Sequence, residues 1–314
     1  MKTPILYIVA PCYNEEAVLP YSAQNLQTKM ETLIANHKIA DGSRILFVDD
    51  GSQDKTYQIM KDLHAANPLF CGIKLSRNRG QQNAMMAGLE FARQYADATI
   101  TIDADLQDDI DAIDKMIDEY MNGAEIVYGV RSARKKDTIF KRMTAHSFYK
   151  LMRKMGVEII YDHSDFRLMS KTALDALSQY HETNLFARGI VQQLGFKTAQ
   201  VTYPRLKRQA GKTKYSPAKL FSLALEGITS FSSKPLTMIW WLGFWLHLLG
   251  LAGFITTTIL MFTLNLHFMW PLLSAMVWLT SIILLALGIV GYYIGKAYLE
   301  TKHRPRYIIE EILN

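Results

Sequence analysis

The fold is decided by the segment ATITIDADLQD at residues 98–108, where a short apolar run ends in closely spaced acidic residues. The apolar run predicts a buried β-strand, and Asp103 and Asp105 would lie at its carboxyl end. Two carboxylates placed there can hold a hard divalent cation such as Mg²⁺ or Mn²⁺, which prefers oxygen ligands and shares them with substrate phosphates. The alternative is that the acids only decorate a helix N-terminus, where the helix dipole favours them.

The same arrangement recurs through the first half of the chain. Apolar runs at residues 5–10, 44–49, 71–75, 98–102 and 125–130 predict strands, and the segments 17–36, 55–66, 81–95 and 111–122 predict helices. This alternation predicts an α/β fold with a Rossmann-like, mostly parallel sheet. Ligands of such sheets bind beyond the carboxyl ends of the strands. The polar groups that follow four of the runs are Tyr13-Asn14-Glu15, Asp49-Asp50-Gly51-Ser52, Arg77-Asn78 and Asp103-Ala104-Asp105.

The acidic pair Asp49 and Asp50 ends the second predicted strand. Gly51 permits a tight turn after it, and Ser52 or Asp54 can cap the following helix. Capping does not explain the two acids, which can accept hydrogen bonds from a nucleotide base or a ribose. The sequence contains no glycine-rich dinucleotide motif after its first strand and no P-loop motif, so neither of those nucleotide-binding classes is supported.

The net charge of +6 is unevenly distributed. Residues 131–154 contain nine Lys or Arg against one acid, Asp137, with apolar residues among them. This pattern predicts an amphipathic helix on a bilayer, and an ordinary surface helix is the alternative. Residues 235–295 contain no Asp, Glu, Lys or Arg, which predicts two transmembrane helices. Basic residues flank both predicted spans and none lies in the turn between them, so both termini are expected in the cytoplasm.

The sequence therefore predicts a cytoplasmic α/β domain at residues 1–215, a juxtamembrane amphipathic helix at 216–234, two transmembrane helices at 235–295 and a cytoplasmic tail at 296–314. No secretory signal is expected at the start. The two cysteines, Cys12 and Cys71, suit a reducing compartment and support neither a disulfide framework nor a zinc site. An anionic membrane surface is a better partner for the basic clusters than nucleic acid.

Four motifs in chain order resemble those of the family 2 glycosyltransferases, which have the GT-A fold: PCYNE at residues 11–15, VDDGS at 48–52, RNRG at 77–80 and DADLQ at 103–107. Segments at 165–168, 184–189 and 208–216 are similar to the polyprenyl-phosphate branch, which includes dolichol-phosphate mannose synthases and bactoprenol glucosyltransferases. The two predicted spans and residues 304–307 are similar to the bactoprenol-type members. The resemblance covers nearly the whole chain.

This resemblance implies inverting transfer of a hexose from a nucleotide-sugar to undecaprenyl or another polyprenyl phosphate at the cytoplasmic membrane face. UDP-glucose is the first expected donor, and UDP-N-acetylglucosamine and GDP-mannose are alternatives. A glycolipid or polysaccharide is an alternative acceptor, while a non-enzymatic membrane scaffold would leave the acidic motifs without a purpose. The resemblance also implies a homo-oligomer, such as a tetramer.

The resemblance further implies roles for individual residues. The donor would be bound by Pro11, Tyr13, Glu15, Val48, Asp50, Arg77, Asp103 and Ala104. The metal ion would be held by Asp103, Asp105 and Gln107. The phosphates of donor and acceptor would be bound by Arg131, Arg134, Arg208 and Lys214, although general attraction to anionic lipid explains Arg134 equally well. Asp105 and Asp165 would be catalytic, and Asp165 either orients or weakly deprotonates the acceptor or only pairs Arg167 or Arg188.

Overall fold

A computed structural model of the chain describes residues 3–132, 163–181, 187–204, 245 and 269–314. Its strands are β1 (Leu6–Cys12), β2 (Arg44–Asp49), β3 (Phe70–Leu75), β4 (Ala98–Thr101), β5 (Ile126–Arg131), β6 (His163–Ser170), β7 (Thr198–Tyr203) and β8 (Ile309–Leu313). Its helices are α1 (Leu19–Ala35), α2 (Thr56–Ala66), α3 (Gln81–Ala92), α4 (Ala112–Met121), α5 (Lys171–Leu177), α6 (Ala187–Gln193) and α7 (Met269–Thr301).

The eight strands form one sheet in the order β7-β5-β6-β4-β1-β2-β3-β8. Strands β1 to β4 run parallel to one another, and β5 runs parallel to β7. Strand β6 lies antiparallel between β4 and β5, and β8 lies antiparallel to β3. The prediction of an α/β fold with a mostly parallel sheet is therefore confirmed.

The sheet separates two apolar cores, one on each face. One core receives α1 and α4, and the other receives α3, α5 and α6. Helix α3 packs very closely, because a Cβ atom on Gly88 would lie 2.4 Å from Val9 Cγ1 and 2.8 Å from Val48 Cγ2. This packing fixes the position of the first residue of α3, Gln81, close to the carboxyl ends of β1 and β2.

All five predicted strands and all four predicted helices agree closely with the structure, and the elements after β5 were not predicted as strands or helices of the sheet. The first strand was expected to end before Pro11, but β1 continues through it to Cys12. Pairing of β1 with β4 stops at Val9 and Thr101, so Pro11 interrupts no hydrogen bond of that pair. The antiparallel strand β6, which carries Asp165, was not predicted.

Strand β8, which lies within the predicted tail at 296–314, joins the sheet. Strand β8 pairs with β3, and the Ser76 amide donates to the Ile308 carbonyl at 3.0 Å. Lys74 Nζ lies 2.9 Å from Glu310 Oε1, and the Tyr307 hydroxyl donates to Glu90 on α3. The last strand therefore covers what would otherwise be an open edge of the sheet.

Over the residues that the structure describes, no helix is both long and apolar enough to cross a membrane. The two predicted spans are therefore not confirmed, and the predicted juxtamembrane helix at 216–234 lies outside the described residues. Most of the predicted basic helix at 131–154 also lies outside them. Arg131 itself is the last residue of β5, which corrects its expected place at the start of that helix, because its backbone pairs in register with Tyr203 of β7.

Candidate active site

The loops that follow β1 and β2 interlock. The Asp50 amide donates to the Cys12 carbonyl at 2.9 Å. The Asn14 amide donates to Ser52 Oγ at 2.9 Å, and the Gln53 amide donates to Asn14 Oδ1 at the same distance. Asn14 has a φ of 51°, a left-handed conformation that asparagine tolerates better than most residues. The PCYNE and DDGS segments are therefore held together as one wall of a crevice.

Asp50 anchors the turn that follows β3. It is 2% exposed, and its carboxylate accepts the Arg79 amide at 2.6 Å and the Gly80 amide at 2.8 Å. Gly51 has a φ of 68°, and a Cβ atom there would lie 2.6 Å from the Arg77 carbonyl carbon, so only glycine fits. Burial raises the pKa of Asp50, and the two amides that it accepts act in the opposite direction.

Asp103 lies in the same crevice as Asp50. Gln81 Nε2 donates to Asp103 Oδ1 at 2.6 Å, and Gln81 directly follows Gly80, whose amide binds Asp50. The acidic ends of β2 and β4 thus contact neighbouring residues of one loop, at the N-terminus of α3. Gln81 was not among the predicted site residues, and its only sequence signal is that it follows the RNRG motif.

The acidic loop after β4 is a tight turn. The Leu106 amide donates to the Asp103 carbonyl at 3.1 Å, and the Gln107 amide donates to Asp105 Oδ1 at 3.3 Å. Leu106 has a φ of 45°, an uncommon backbone conformation for a bulky residue. Ser22 of α1 donates to the Ala104 carbonyl at 2.5 Å. These contacts fix the Asp103, Asp105 and Gln107 backbone against the first helix.

The carboxylates around this loop crowd one another. Burial, and after it the carboxylates of Asp108, Asp165 and Asp105, raise the pKa of Asp103 to about 7, while Arg131 acts in the opposite direction. Four acids against two arginines, Arg131 and Arg167, leave an excess of negative charge, and like charges this close disfavour ionisation of one member. A divalent cation would relieve the repulsion, so the electrostatics of these residues fits Mg²⁺ or Mn²⁺.

Within the described part of the chain, no three His, Cys, Asp or Glu side chains are arranged so that they could hold a metal ion. The predicted ligands combine two carboxylates, Asp103 and Asp105, with the amide oxygen of Gln107. Oxygen ligands of this kind suit Mg²⁺ and Mn²⁺, and Mg²⁺ commonly keeps waters and substrate phosphates as its other ligands. The chemistry of the donor set therefore fits a hard cation, and the assignment of these residues as ligands stays a prediction.

Asp165 on β6 shows features of both roles considered for it. Arg167 Nη2 lies 3.1 Å from Asp165 Oδ1, and the Arg167 side chain is 1% exposed. The Thr101 hydroxyl donates to the Asp165 carbonyl, which ties β6 to the end of β4. Asp165 also lies close enough to Asp103 to raise the pKa of that carboxyl. It is thus both an ion-pair partner and a member of the acidic cluster.

A buried group that the sequence reasoning missed connects this cluster with the ends of β5 and β7. Asp108 Oδ1 accepts Arg131 Nε at 2.9 Å, Arg131 Nη2 at 2.8 Å and the Tyr203 hydroxyl at 2.7 Å. Asp108 belongs to the acidic segment at residues 98–108, but of the acids in that segment only Asp103 and Asp105 were assigned a function. Tyr203 ends a parallel strand, and this strand-end position is the signal that could have identified it.

The other predicted site residues divide into three groups. Pro11, Tyr13 and Glu15 are half-buried at the end of β1, and Arg77 is exposed with its backbone against Gly51. Val48 is fully buried and Ala104 is 4% exposed. The Val48 side chain packs into the core beneath α3, so only its backbone can reach the crevice. Arg134, Arg208 and Lys214 lie outside the described residues.

This α/β sheet, with acids gathered beyond the ends of its parallel strands, defines a glycosyltransferase domain of the GT-A-like class. Residues 7–178 match the family described as Glycosyl transferase family 2. The chain belongs to that family and is a glycosyltransferase, as the sequence motifs predicted.

The chain is similar over its whole length to several relatives. It is 46% identical over 308 residues to the uncharacterized glycosyltransferase YkoT of Bacillus subtilis (strain 168), covering 98% of this chain and 91% of the relative. It is 38% identical over 309 residues to the prophage bactoprenol glucosyl transferase homolog of Escherichia coli (strain K12), covering 97% and 98%. It is 36% identical over 306 residues to the bactoprenol glucosyl transferase of Shigella phage SfV, covering 96% and 97%.

The fold is also that of a solved structure. The mannosyltransferase PcManGT from Pyrobaculum calidifontis, in complex with GDP-Man and Mn²⁺, aligns with a TM-score of 0.50 and 16% sequence identity. The alignment covers 95% of this chain and 85% of that structure. At this identity the similarity concerns the fold alone.

Proposed function

We propose that this glycosyltransferase moves a hexose from a nucleotide-sugar to a polyprenyl phosphate at the membrane surface, and that UDP-glucose and undecaprenyl phosphate are the substrates to test first. The single observation that carries the proposal is the cluster of Asp103, Asp105, Asp108 and Asp165, which holds more negative charge than Arg131 and Arg167 balance. Such a cluster suits a cation that accompanies a diphosphate. Relatives named bactoprenol glucosyl transferase, matched over 96% or more of this chain, support the acceptor class.

The proposed reaction is a displacement at the anomeric carbon. An oxygen of the lipid phosphate forms the new bond to that carbon, and the bond to the nucleoside diphosphate breaks, so the leaving group departs with the electron pair. A phosphate monoester has a second pKa of roughly 6, so the attacking oxygen needs no strong general base at neutral pH. The protein must instead bring two anions together and orient them.

The chain supplies fixed polar groups for this task. Asp50 holds the Arg79 and Gly80 amides in place, which shapes the wall that would contact the nucleotide. Asp103, Asp105 and Gln107 would hold Mg²⁺ or Mn²⁺, which would supply positive charge to the departing diphosphate. Arg131, which is held by Asp108, would contribute a permanent positive charge to a phosphate. Groups fixed in advance need no reorganisation during the reaction.

Membrane attachment is a further part of the proposal. The uncharged stretch at residues 235–295 and the basic stretch at residues 131–154 support it, since the first suits the bilayer interior and the second suits anionic headgroups. We place the catalytic domain and both termini in the cytoplasm, because the basic residues flank the uncharged stretch. A lipid phosphate would then reach the crevice at the height of the headgroups.

The proposal is tested with purified full-length protein in lipid nanodiscs that contain undecaprenyl phosphate. Radiolabelled UDP-glucose, UDP-N-acetylglucosamine and GDP-mannose are supplied separately, each with Mg²⁺ or with Mn²⁺. We expect label from one donor to enter the organic phase in a product from which mild acid releases the sugar. Label that stays entirely in water, with every donor, would overturn the proposed acceptor.

A matched control separates transfer from contamination. The Asp105→Asn variant keeps the size of the side chain but removes its charge, so it should lose the lipid-linked product. The Asp175→Asn variant changes an exposed acid, paired with Arg93 at 3.0 Å, and should form product at the rate of the unchanged protein.

A further inference from the structure

Arg131 and Tyr203 are neighbours at the carboxyl ends of two parallel strands. They are register partners in the β5–β7 ladder, so their side chains leave the sheet on the same face. The Ser132 amide donates to the Tyr203 carbonyl at 2.9 Å, which continues the pairing past the end of β5. Gly129 allows this close approach, because a Cβ atom there would lie 2.9 Å from Tyr203 Cε1. The backbone thus fixes where both side chains begin.

Both side chains end on one oxygen of Asp108. Arg131 donates through Nε and Nη2 to Asp108 Oδ1, and the Tyr203 hydroxyl donates to the same atom. Burial alone would lower the pKa of Arg131, but Asp108 and then Tyr203 raise it above its ordinary value. The arginine therefore stays charged while it is held by its neighbours.

The contacts with Asp108 use only part of the guanidinium. Arginine has five N–H donors, and the bonds from Nε and Nη2 occupy one edge of the planar group. The Arg131 side chain remains 24% exposed, whereas Asp108 is 1% exposed. The opposite edge, formed by Nη1 and the second N–H of Nη2, has the geometry that binds two oxygens of a phosphate in a fork.

Asp108 is a costly residue for a role in stability alone. A buried carboxylate loses its hydration, and an ion pair in the interior rarely recovers more than that loss. Its second oxygen, Oδ2, is buried and makes no hydrogen bond within the described residues. Asp108 also raises the pKa of Asp103, so it adds to the crowding of the acidic cluster. An apolar residue would fill the same space without either penalty.

We propose that Asp108 and Tyr203 are positioning residues that lock the Arg131 guanidinium in place so that its outer edge binds a substrate phosphate. This inference rests on the proposed function, which supplies two candidate phosphates, the donor diphosphate and the lipid phosphate. An unrestrained arginine would lose its rotamer freedom when substrate binds, whereas a locked one has already lost it on folding. The Asp108 contacts also set the direction in which the fork faces.

The test is a double-mutant cycle between Asp108 and Arg131. We expect Asp108→Asn to lower kcat/KM about 10- to 100-fold, in the range typical of groups that orient a ligand-binding residue, and Tyr203→Phe to lower it about tenfold or less. In the Arg131→Ala background, Asp108→Asn should lower kcat/KM no further, because the residue it positions is gone. An equal loss in both backgrounds, or no loss in either, would overturn the proposal.

Binding measurements identify the phosphate and do not depend on turnover. UDP with Mn²⁺, and separately a short-chain polyprenyl phosphate, are titrated against the unchanged protein and each variant. Asp108→Asn and Arg131→Ala should weaken the binding of the same ligand, and that ligand identifies the phosphate that Arg131 binds. If both ligands bind all variants equally, the positioning role is wrong even where transfer is confirmed. If no sugar is transferred but one ligand shows the coupled loss, the proposed reaction fails and the positioning role stands.

Two controls guard against misfolding. Asp111→Asn changes an acid three residues away whose side chain is 81% exposed and paired with Lys29, and it should leave binding and kcat/KM unchanged. Thermal unfolding is measured for every variant. If Asp108→Asn does not fold, Tyr203→Phe, which removes one hydroxyl, decides the question through its own cycle with Arg131→Ala.

Discussion

Two acidic groups follow β2 and β4, the strands on either side of β1, and they differ in the groups that surround their carboxylates. At the end of β2, Asp50 accepts two backbone amides at 2.6 and 2.8 Å, and Asp49 accepts the Ser52 amide at 3.2 Å. At the end of β4, the largest effects on the pKa of Asp103 after burial come from three other carboxylates. The first group is held by backbone amides, whereas the second faces other carboxylates.

This difference separates a structural use of aspartate from a ligand-binding use. Backbone amides that converge on a carboxylate hold a loop in shape and leave little demand for a cation. Carboxylates that face one another raise the free energy of the folded protein until a cation or a proton joins them. The two groups share the crevice, so we infer that the β2 acids shape its wall and the β4 acids bind the charged ligand. Substitutions in the two groups should therefore have opposite effects on stability and activity.

The largest expected effect is the loss of turnover in Asp105→Ala. Removing a group that places positive charge against a leaving group typically costs on the order of 10³-fold in kcat. Stability should not fall, because one of the crowded carboxylates disappears, and the Tm of the cation-free protein should stay unchanged or rise. Transfer assays and thermal unfolding of the same sample measure both. Near-normal product formation would refute the assignment of Asp105 to the metal site.

The opposite result is expected for Asp50→Ala. This substitution removes the buried carboxylate that accepts the Arg79 and Gly80 amides, and hydrogen bonds to charged groups contribute about 1.5–3 kcal/mol. We expect the free energy of unfolding to fall by about 2–4 kcal/mol, measured by denaturant titration of the solubilised protein. Asp62→Ala on the exposed side of α2 is the control. An unchanged stability would mean that the β2 acids are not structural and would remove the contrast.

A smaller effect is expected from pH. The pKa of Asp103 is raised from 3.8 to about 7 in the cation-free protein, so the folded form binds this proton more tightly than the unfolded chain does. The stabilisation that comes from this tighter proton binding is therefore complete below about pH 4. It is lost as the pH rises through about 7. A cation must displace the proton, so Mn²⁺ affinity should weaken by up to about tenfold per pH unit below pH 7. Titrations from about pH 5.5 to pH 8 measure this, and Asp103→Asn should remove the dependence.

The sequence predicted the part of this contrast that depends on local pattern. An apolar run followed by Asp103 and Asp105, or by Asp49 and Asp50, identifies a strand and its carboxyl end, and parallel strands place those ends together. Strand β2 was predicted with its observed bounds for the same reason. The pattern does not distinguish the two acidic groups, because the amides that donate to Asp50 come from a turn about thirty residues later.

The remaining elements depend on pairings between distant segments. Strand β8 follows β3 by more than two hundred residues, and its sequence IEEIL has a side-chain pattern that defines a strand only once β3 is beside it. The contact of Asp108 with Arg131 and Tyr203 requires the register of β5 and β7. The fully buried Val48 is a further example of what the sequence alone does not predict. A motif indicates that a position is important, but it does not indicate whether the side chain or the backbone of that residue contacts the ligand.

The smallest effect, and the finest test of the contrast, concerns Asp165. It shares features of both groups, because Arg167 balances its charge at 3.1 Å while it also raises the pKa of Asp103. If it belongs functionally with the β4 acids, Asp165→Asn should lower kcat by about tenfold and weaken donor binding less, because the loss acts on the acceptor or the reacting centre. Steady-state kinetics and UDP titration separate the two quantities. An unchanged kcat with reduced stability would instead place Asp165 with Asp50, as an acid whose main partner is the protein itself.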